Sequence, residues 1–320
     1  MSMALALAHP SVLPPPLATP AAQALRTRIG DTSLVPLPGL AANPAVSVFA
    51  KAEFENASGS VKDRAAWAIV EDALMTGALG GRTLLDATSG NTGIAYALIG
   101  ATLGVPVALC LPANASPERK RILRAYGAEL ILTDPMEGTD GAQHEARRLA
   151  DAEPERYHYP DQYNHPANPR AHEHGTAPEI WQQTEGRVTH FVAGLGTTGT
   201  FVGTMRGLKA RNPDTVGVAM QPDGPLHGLE GLKHLPTAKV PGIYDPDVPD
   251  RHLAVSTDEA YATARRLARE FGLFVGVSAG ANVAAAARVA ADLDEGVVVT
   301  ILCDGGERYL SDDFWTNGNS

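Results

Sequence analysis

Apolar runs at 83–86, 105–111, 129–133, 188–193, 215–220 and 297–302 carry few polar interruptions, which predicts strands buried on both faces. Between them, helical spacing of apolar positions predicts helices over roughly 61–76, 93–103, 117–126, 139–151, 199–210, 257–271 and 280–292. Continuous apolar strands alternating with helices imply an α/β architecture of mostly parallel sheets covered on both faces. Segment 157–170 is rich in Pro, Asn, Tyr and His, breaks this rhythm and predicts a junction between two lobes. Segment 222–250 is a second irregular stretch and a candidate for substrate contact. The expected layout is a flexible tail over 1–24, a smaller lobe over 45–165, and a larger lobe made of 25–44 with 166–320.

Composition narrows the function. At 320 residues the chain is long enough for two lobes, and 44% apolar content excludes global disorder. A net charge of −10, with no basic run longer than Arg119-Lys120-Arg121, argues against nucleic acid or anionic membrane as partner. Cys110 and Cys303 sit in apolar runs and read as packed thiols in a reducing cytoplasm. No secretory signal is expected, because the first basic side chain is Arg26 and Pro10 interrupts the early apolar stretch. Segment 87–117 is uncharged, but Thr88, Ser89, Asn91, Gly100, Gly104 and Pro106 divide it into loop, helix and strand rather than a membrane span.

In the helix predicted after Gly59-Ser60, Ala66, Ile69, Val70, Ala73 and Leu74 form the stripe that faces a core. Lys62 lies on that stripe in the first turn, where the helix dipole opposes a cation. Burial and positive potential both disfavour the ammonium. Two readings follow: a nucleophilic amine suited to an aldehyde, or a lysine snorkelling to solvent.

Gly194-Leu195-Gly196-Thr197-Thr198-Gly199-Thr200 joins a predicted strand to a predicted helix, satisfies G-x-G-x-x-G, and precedes Asp214 by twenty residues. It can be read as a dinucleotide site. It can also be read as a phosphate-monoester cradle, with threonine hydroxyls added to helix N-terminal N–H groups, or as a plain turn. Thr88-Ser89-Gly90-Asn91-Thr92-Gly93 repeats the setting and suits a carboxylate. In Gly276-Val277-Ser278-Ala279-Gly280, Ser278 is placed like an N-cap. His158, His165, His172 and His174 cluster in sequence. His172 and His174 are two apart, share no helix face, and lack a Cys or Glu ligand pattern, so hydrogen-bonded histidines are expected rather than a zinc hydrolase.

Three more segments complete the picture: Asn56-Ala57-Ser58-Gly59-Ser60-Val61-Lys62-Asp63-Arg64, Asp161-Gln162-Tyr163 with Asn168-Pro169, and Gly306-Glu307-Arg308-Tyr309-Leu310-Ser311. With the turns above, and in this order, they resemble the fold type II pyridoxal-phosphate enzymes, specifically the cysteine synthase (O-acetylserine sulfhydrylase) and cystathionine β-synthase group. The match runs over nearly the whole chain after Arg28. The first of the three is similar to the family's lysine segment, N-P-T-G-S-x-K-D-R, and the last to its R-Y-L-S segment.

The resemblance implies a tryptophan synthase β-like fold with two lobes, each a mostly parallel twisted sheet flanked by helices, the smaller carrying the cofactor lysine. It implies pyridoxal 5′-phosphate held by Lys62, Asn91, Gly196, Thr197, Thr198, Gly199, Thr200 and Ser278, with Asn91 at the ring 3′-oxygen and Ser278 at the pyridine nitrogen. Lys62 would be the catalytic residue, and Thr88, Ser89, Gly90, Thr92 and Gln162 would surround the substrate. The implied reaction is β-replacement on an O-activated L-serine by sulfide, through an aminoacrylate, giving L-cysteine in a cytoplasmic homodimer without nucleic acid, membrane or metal. Three departures stand out: Ala57-Ser58 for Pro-Thr, Ile29-Gly30-Asp31-Thr32-Ser33-Leu34 for I-G-N-T-P-L, and Gly228-Leu229-Glu230-Gly231-Leu232-Lys233-His234 for a different glycine-rich loop. The last bears on the donor. A phosphorylated donor should need an arginine in the site, and Gln221-Pro222-Asp223-Gly224-Pro225-Leu226-His227 offers none, which favours O-acetylserine unless Arg251 intervenes. The alternatives are an O-phosphoserine-dependent synthase, a serine-using cystathionine β-synthase-like enzyme and a catalytically silent scaffold. A heme-regulated synthase is disfavoured because no regulatory extension follows Ser320.

Overall fold

The computed structural model describes residues 14–88 and 90–316. In chain order its strands are β1 (Leu34–Pro36), β2 (Val46–Ala52), β3 (Thr83–Ala87), β4 (Val107–Pro112), β5 (Glu129–Thr133), β6 (Tyr157–His158), β7 (His190–Gly194), β8 (Val216–Pro222), β9 (Arg251–Val255) and β10 (Gly296–Leu302). The helices of the first half are α1 (Pro20–Arg26), α2 (Lys62–Met75), α3 (Asn91–Leu103), α4 (Pro117–Ala125) and α5 (Gly138–Ala152). Those of the second are α6 (Ala167–Ala171), α7 (Ala177–Gln183), α8 (Gly199–Lys209), α9 (Thr257–Phe271) and α10 (Val277–Ala291), with a π-helical turn, His172–Thr176, joining α6 to α7.

Two sheets result. The larger has the order β1-β2-β10-β7-β8-β9, and the smaller β5-β4-β3-β6. All pairings are parallel except β1 with β2. Each sheet has a core on both faces, which is why its central strands read as unbroken apolar runs. On one face of the larger sheet Val48, Val192, Val218 and Val298 meet α9 and α10; on the other, Phe191, Ala193 and Val299 meet Ile180 of α7 and Phe201 and Met205 of α8. The smaller sheet packs Leu84 and Leu109 against α2 and α3, and Leu85, Ala108 and Cys110 against Ala142 and Ala146 of α5.

The sequence pattern finds β3, β4, β5, β7, β8, β10 and seven helices but misses β1, β2, β6, β9, α1 and the helical stretch from α6 to α7. β2 is informative. It pairs with β10 along its whole length, so it belongs to the larger sheet, whereas the smaller lobe was expected to begin at 45. Lys51 hides this strand in the sequence because a lysine interrupts the apolar run, yet its side chain is fully buried. The expected tail also needs correction. Leu17, Ala22 and Leu25 are buried against the α2–α3 core, and Thr19 caps α1 by accepting from Ala22 N at 3.1 Å; residues 1–13 lie outside the described residues.

Lys51 is buried within an ion cluster that ties α2 to the larger sheet. Its Nζ pairs with Glu179 Oε2 at 2.6 Å; Arg64 of α2 pairs with Glu179 Oε1 at 2.6 Å and with Glu53 Oε2 at 2.7 Å. Burial works against the Glu179 carboxylate, but hydrogen bonds and charge from Arg64 and Lys51 outweigh it and hold the group at about 2. Removing one partner of such a cluster leaves an uncompensated buried charge. Arg64→Met is therefore expected to lower unfolding stability by about 3–5 kcal/mol in urea titrations. A loss below about 1 kcal/mol, the range of exposed pairs, would contradict the assignment.

Candidate active site

The C-terminal ends of β3, β7 and β10 open onto one cleft of about 520 Å³ between the two sheets, the usual ligand position in open parallel sheets. Lys62 enters it from the first turn of α2. Val61 N donates to Cys303 O at 2.9 Å, and Ser60 forms an antiparallel bridge with Asp304, so the start of α2 is pinned to the end of β10. From there Ala66, Ile69, Val70 and Ala73 run down the buried stripe, with Leu74 half-buried, while Lys62 itself lines the cleft half-buried.

Opposite lies the turn from β7 into α8. Thr198 has left-handed backbone, φ 73°, and its buried hydroxyl has no hydrogen-bond partner among the described residues. The first helical hydrogen bond is Val202 N to Thr198 O at 3.0 Å, so the N–H groups of Gly199, Thr200 and Phe201 head the helix without helical acceptors. A Cβ at Gly196 would collide with the Gly231 carbonyl, and one at Gly199 with the Asn168 amide, so both positions need glycine. With no acidic side chain in 194–200, this turn fits a phosphate monoester. Behind it His172, fully buried, meets Thr176 Oγ1 through Nδ1 at 2.9 Å and Thr200 Oγ1 through Nε2 at 3.3 Å.

The third wall is the turn from β3 into α3. Thr88 Oγ1 accepts from Gly90 N at 3.1 Å and Gly93 N at 3.3 Å, so this hydroxyl shapes the turn itself. Thr92 donates to Gln162 Oε1 at 2.7 Å, and Gln162 Nε2 donates to Ala87 O at 2.8 Å. The Asn91 amide is engaged on both sides: its Nδ2 donates to Asp304 Oδ2 at 2.7 Å, and its Oδ1 accepts from Arg308. Ser89 lies outside the described residues.

Thus Lys62, Asn91, Gly196, Thr197, Thr198, Thr200, Ser278, Thr88, Gly90, Thr92 and Gln162 line one cleft, and Gly199 follows at the helix start. Two expectations change. Ser278 is not an N-cap: α10 begins at Val277, Gly276 is its cap residue, and Ser278 sits inside the first turn with its side chain on the cleft. Cys303 lines the cleft rather than only packing, with Sγ accepting from Asn282 Nδ2 at 3.3 Å, and burial pushes its thiol up to about 11.

Sequence reasoning gave no site role to Arg119, Asn282 and Asp304, and quoted Asn168, Glu230 and Lys233 only within motifs, without individual roles. Asn168 Nδ2 links Gln162 O at 2.9 Å to Thr197 Oγ1 at 3.2 Å, and Asn282 Oδ1 accepts from Gly194 N at 2.8 Å. Arg119 matters most, because no arginine was expected at the site; it comes from α4 on the smaller sheet, not from the 221–227 loop, and pairs with Glu230. Arg251 is elsewhere, exposed and 3.3 Å from Asp292.

Burial, followed by the positive charge of Arg64, pushes the His172 imidazole down to about 3. The folded protein therefore refuses a proton that the unfolded chain accepts near its ordinary value of about 6.5, so stability falls as pH drops through that window. His172→Gln is expected to make urea midpoints less pH-dependent between about 6.5 and 3, by up to about 1.4 kcal/mol per pH unit. Parallel pH profiles for the two proteins would contradict a neutral buried imidazole.

The family model described as pyridoxal-phosphate dependent enzyme matches residues 25–304. The chain is 52% identical over 271 residues to a cysteine synthase of Aquifex aeolicus, covering 83% of each. It is 43% identical over 288 residues to cysteine synthase B of Escherichia coli, covering 90% of this chain and 94% of that one. Among solved structures, O-acetylserine sulfhydrylase isoform 3 from Entamoeba histolytica superposes with a TM-score of 0.85 at 35% identity, over 92% of this chain and 91% of that one.

Proposed function

Since the chain belongs to the pyridoxal-phosphate dependent enzymes, within their cysteine synthase group, we propose that it joins sulfide to the β-carbon of O-acetyl-L-serine, releasing acetate and forming L-cysteine. The observation that supports this most directly is the single cleft shared by Lys62, the 194–200 turn with its unsatisfied Thr198 hydroxyl, and Ser278.

In this reading Lys62 Nζ would hold the cofactor, the N–H groups and hydroxyls of 196–200 would take its phosphate, and Ser278 and Asn91, which line the same cleft, would contact its ring. When bound, the cofactor supplies an aldehyde for the substrate amine and a ring that withdraws electrons from Cα. A serine hydroxyl at the ring nitrogen carries no negative charge, so it stabilises a protonated ring less than a carboxylate would and suits loss of a β-substituent. Thr88, Ser89, Gly90, Thr92 and Gln162 would orient the substrate carboxylate, the Thr92–Gln162 pair being held by Ala87 O. Lys62 Nζ, when not bonded to the cofactor, would be the general base that takes the Cα proton. Cys303 and Asn282 line the same cleft.

A cytoplasmic homodimer is part of the same proposal, supported by kinship and by two free thiols, and checked by light scattering. Among the described residues no helix is long and apolar enough to cross a membrane.

The test compares O-acetylserine, O-phosphoserine and serine as donors with sulfide. O-acetylserine is expected to give the highest kcat/KM, and Lys62→Ala to abolish turnover with it. A preference for serine or O-phosphoserine would overturn the donor assignment, and full turnover by Lys62→Ala would remove that residue from its role.

A further inference from the structure

The 228–234 loop bridges the cleft mouth with two ion pairs of opposite sense. Glu230 meets Arg119 of α4, and Lys233 Nζ lies 3.3 Å from Asp140 Oδ1 of α5. Both partners belong to helices of the smaller sheet, while the loop lies on the larger one: Lys233 N donates to Leu195 O at 2.8 Å, beside the 194–200 turn. The Arg119 side chain is buried and that of Glu230 is 37% exposed at the cleft edge. A Cβ on Gly90, in the turn that would hold the substrate carboxylate, would come within 3.7 Å of both Arg119 Nη1 and Glu230 Oε1. The arginine a phosphorylated donor would require is thus present, but it already has a carboxylate.

We propose that Glu230 is a specificity-determining residue: its carboxylate occupies Arg119 across the cleft mouth and so selects donors with an uncharged activating group, such as acetyl, against anionic ones, such as phosphoryl. A phosphate entering here must compete with a tethered anion for one guanidinium and meets that anion's repulsion. An acyl group meets neither cost. Glu230 does not touch the reacting atoms; it acts by setting the charge that a leaving group encounters. Lys233 carries no equivalent selection, because it is held beyond the 90–93 turn by Asp140 and sits 5.3 Å from the Tyr163 ring.

This inference rests on the reading that the cleft turns over an O-activated serine, so the test has an arm independent of turnover. In the holoenzyme, whose own phosphate loop is filled, Glu230→Gln is expected to raise the ratio of kcat/KM for O-phosphoserine to that for O-acetylserine by at least about tenfold, the worth of a charged hydrogen bond. Glu230→Asp, which keeps the charge, should stay near the wild-type ratio. In the second arm inorganic phosphate is titrated into both holoenzymes at fixed ionic strength, and thermal stabilisation should saturate at lower phosphate in Glu230→Gln. An active wild type with an unchanged ratio in Glu230→Gln, or equal phosphate affinity in the two proteins, would overturn the role of Glu230. A wild type that uses neither donor would overturn the functional reading instead, and the phosphate comparison would then decide the role of Glu230 alone.

Discussion

Asp304 stands at the end of β10 with its side chain fully buried, and four segments of the cleft meet on it. Its Oδ2 accepts from Asn91 Nδ2 and from the Tyr309 hydroxyl, each at 2.7 Å; its backbone bridges to Ser60 and accepts from Gly276 N at 3.0 Å. The lysine turn, the 88–93 turn, the start of α10 and the 306–309 segment are therefore fixed relative to one residue. Arg308 closes the circuit by donating to both Asn91 Oδ1 and Ser58 O. Asp304 Oδ1 is buried without a partner among the described residues, so the two bonds to Oδ2 are what offset the cost of burying the carboxyl group, and these partners cannot drift independently. That is how segments scattered from residue 58 to residue 309 hold one geometry.

Charge is handled in two ways within this frame. Away from the cleft, Lys51, Arg64, Glu53 and Glu179 neutralise one another in the interior and join α2 to the larger sheet, so the helix that carries Lys62 is anchored by ion pairs as well as by its apolar stripe. At the mouth, Arg119 with Glu230 and Lys233 with Asp140 leave the entrance close to neutral while placing two charges of each sign around it. Burial keeps His172 uncharged behind the 194–200 turn, where its two ring nitrogens meet Thr176 and Thr200.

The sequence made the central strands legible because they are buried on both faces, and the glycine-threonine turn legible because its residues serve it locally. Lys62 stood out as a cation on an apolar stripe, but the stripe alone left a nucleophilic amine and a snorkelling lysine both open, and only the ordered motifs around it pointed to the former. What stayed hidden depends on partners distant in the chain. β2 carries a lysine whose burial Glu179, Thr32 and Gln183, all distant in the chain, explain, and the edge strand β9 is mostly exposed and carries little apolar signal. Arg119 entered the sequence reading only as part of a short basic run and Glu230 only within the 228–234 loop; their pairing needs α4 and that loop folded over one cleft. Ser278 looked like a cap because its neighbourhood is a helix start, but the cap position falls two residues earlier, at Gly276, and the Ser278 side chain meets Cys303 instead.

The central claim is covalent: the Lys62 amine carries a vitamin B6 aldehyde at rest. Borohydride reduction of the native protein, followed by proteolysis and peptide mass spectrometry, reads that bond directly. The account requires the reduced phosphopyridoxyl adduct on the peptide containing Lys62. An adduct on a different lysine, or a fully cofactor-loaded protein yielding none, would contradict it.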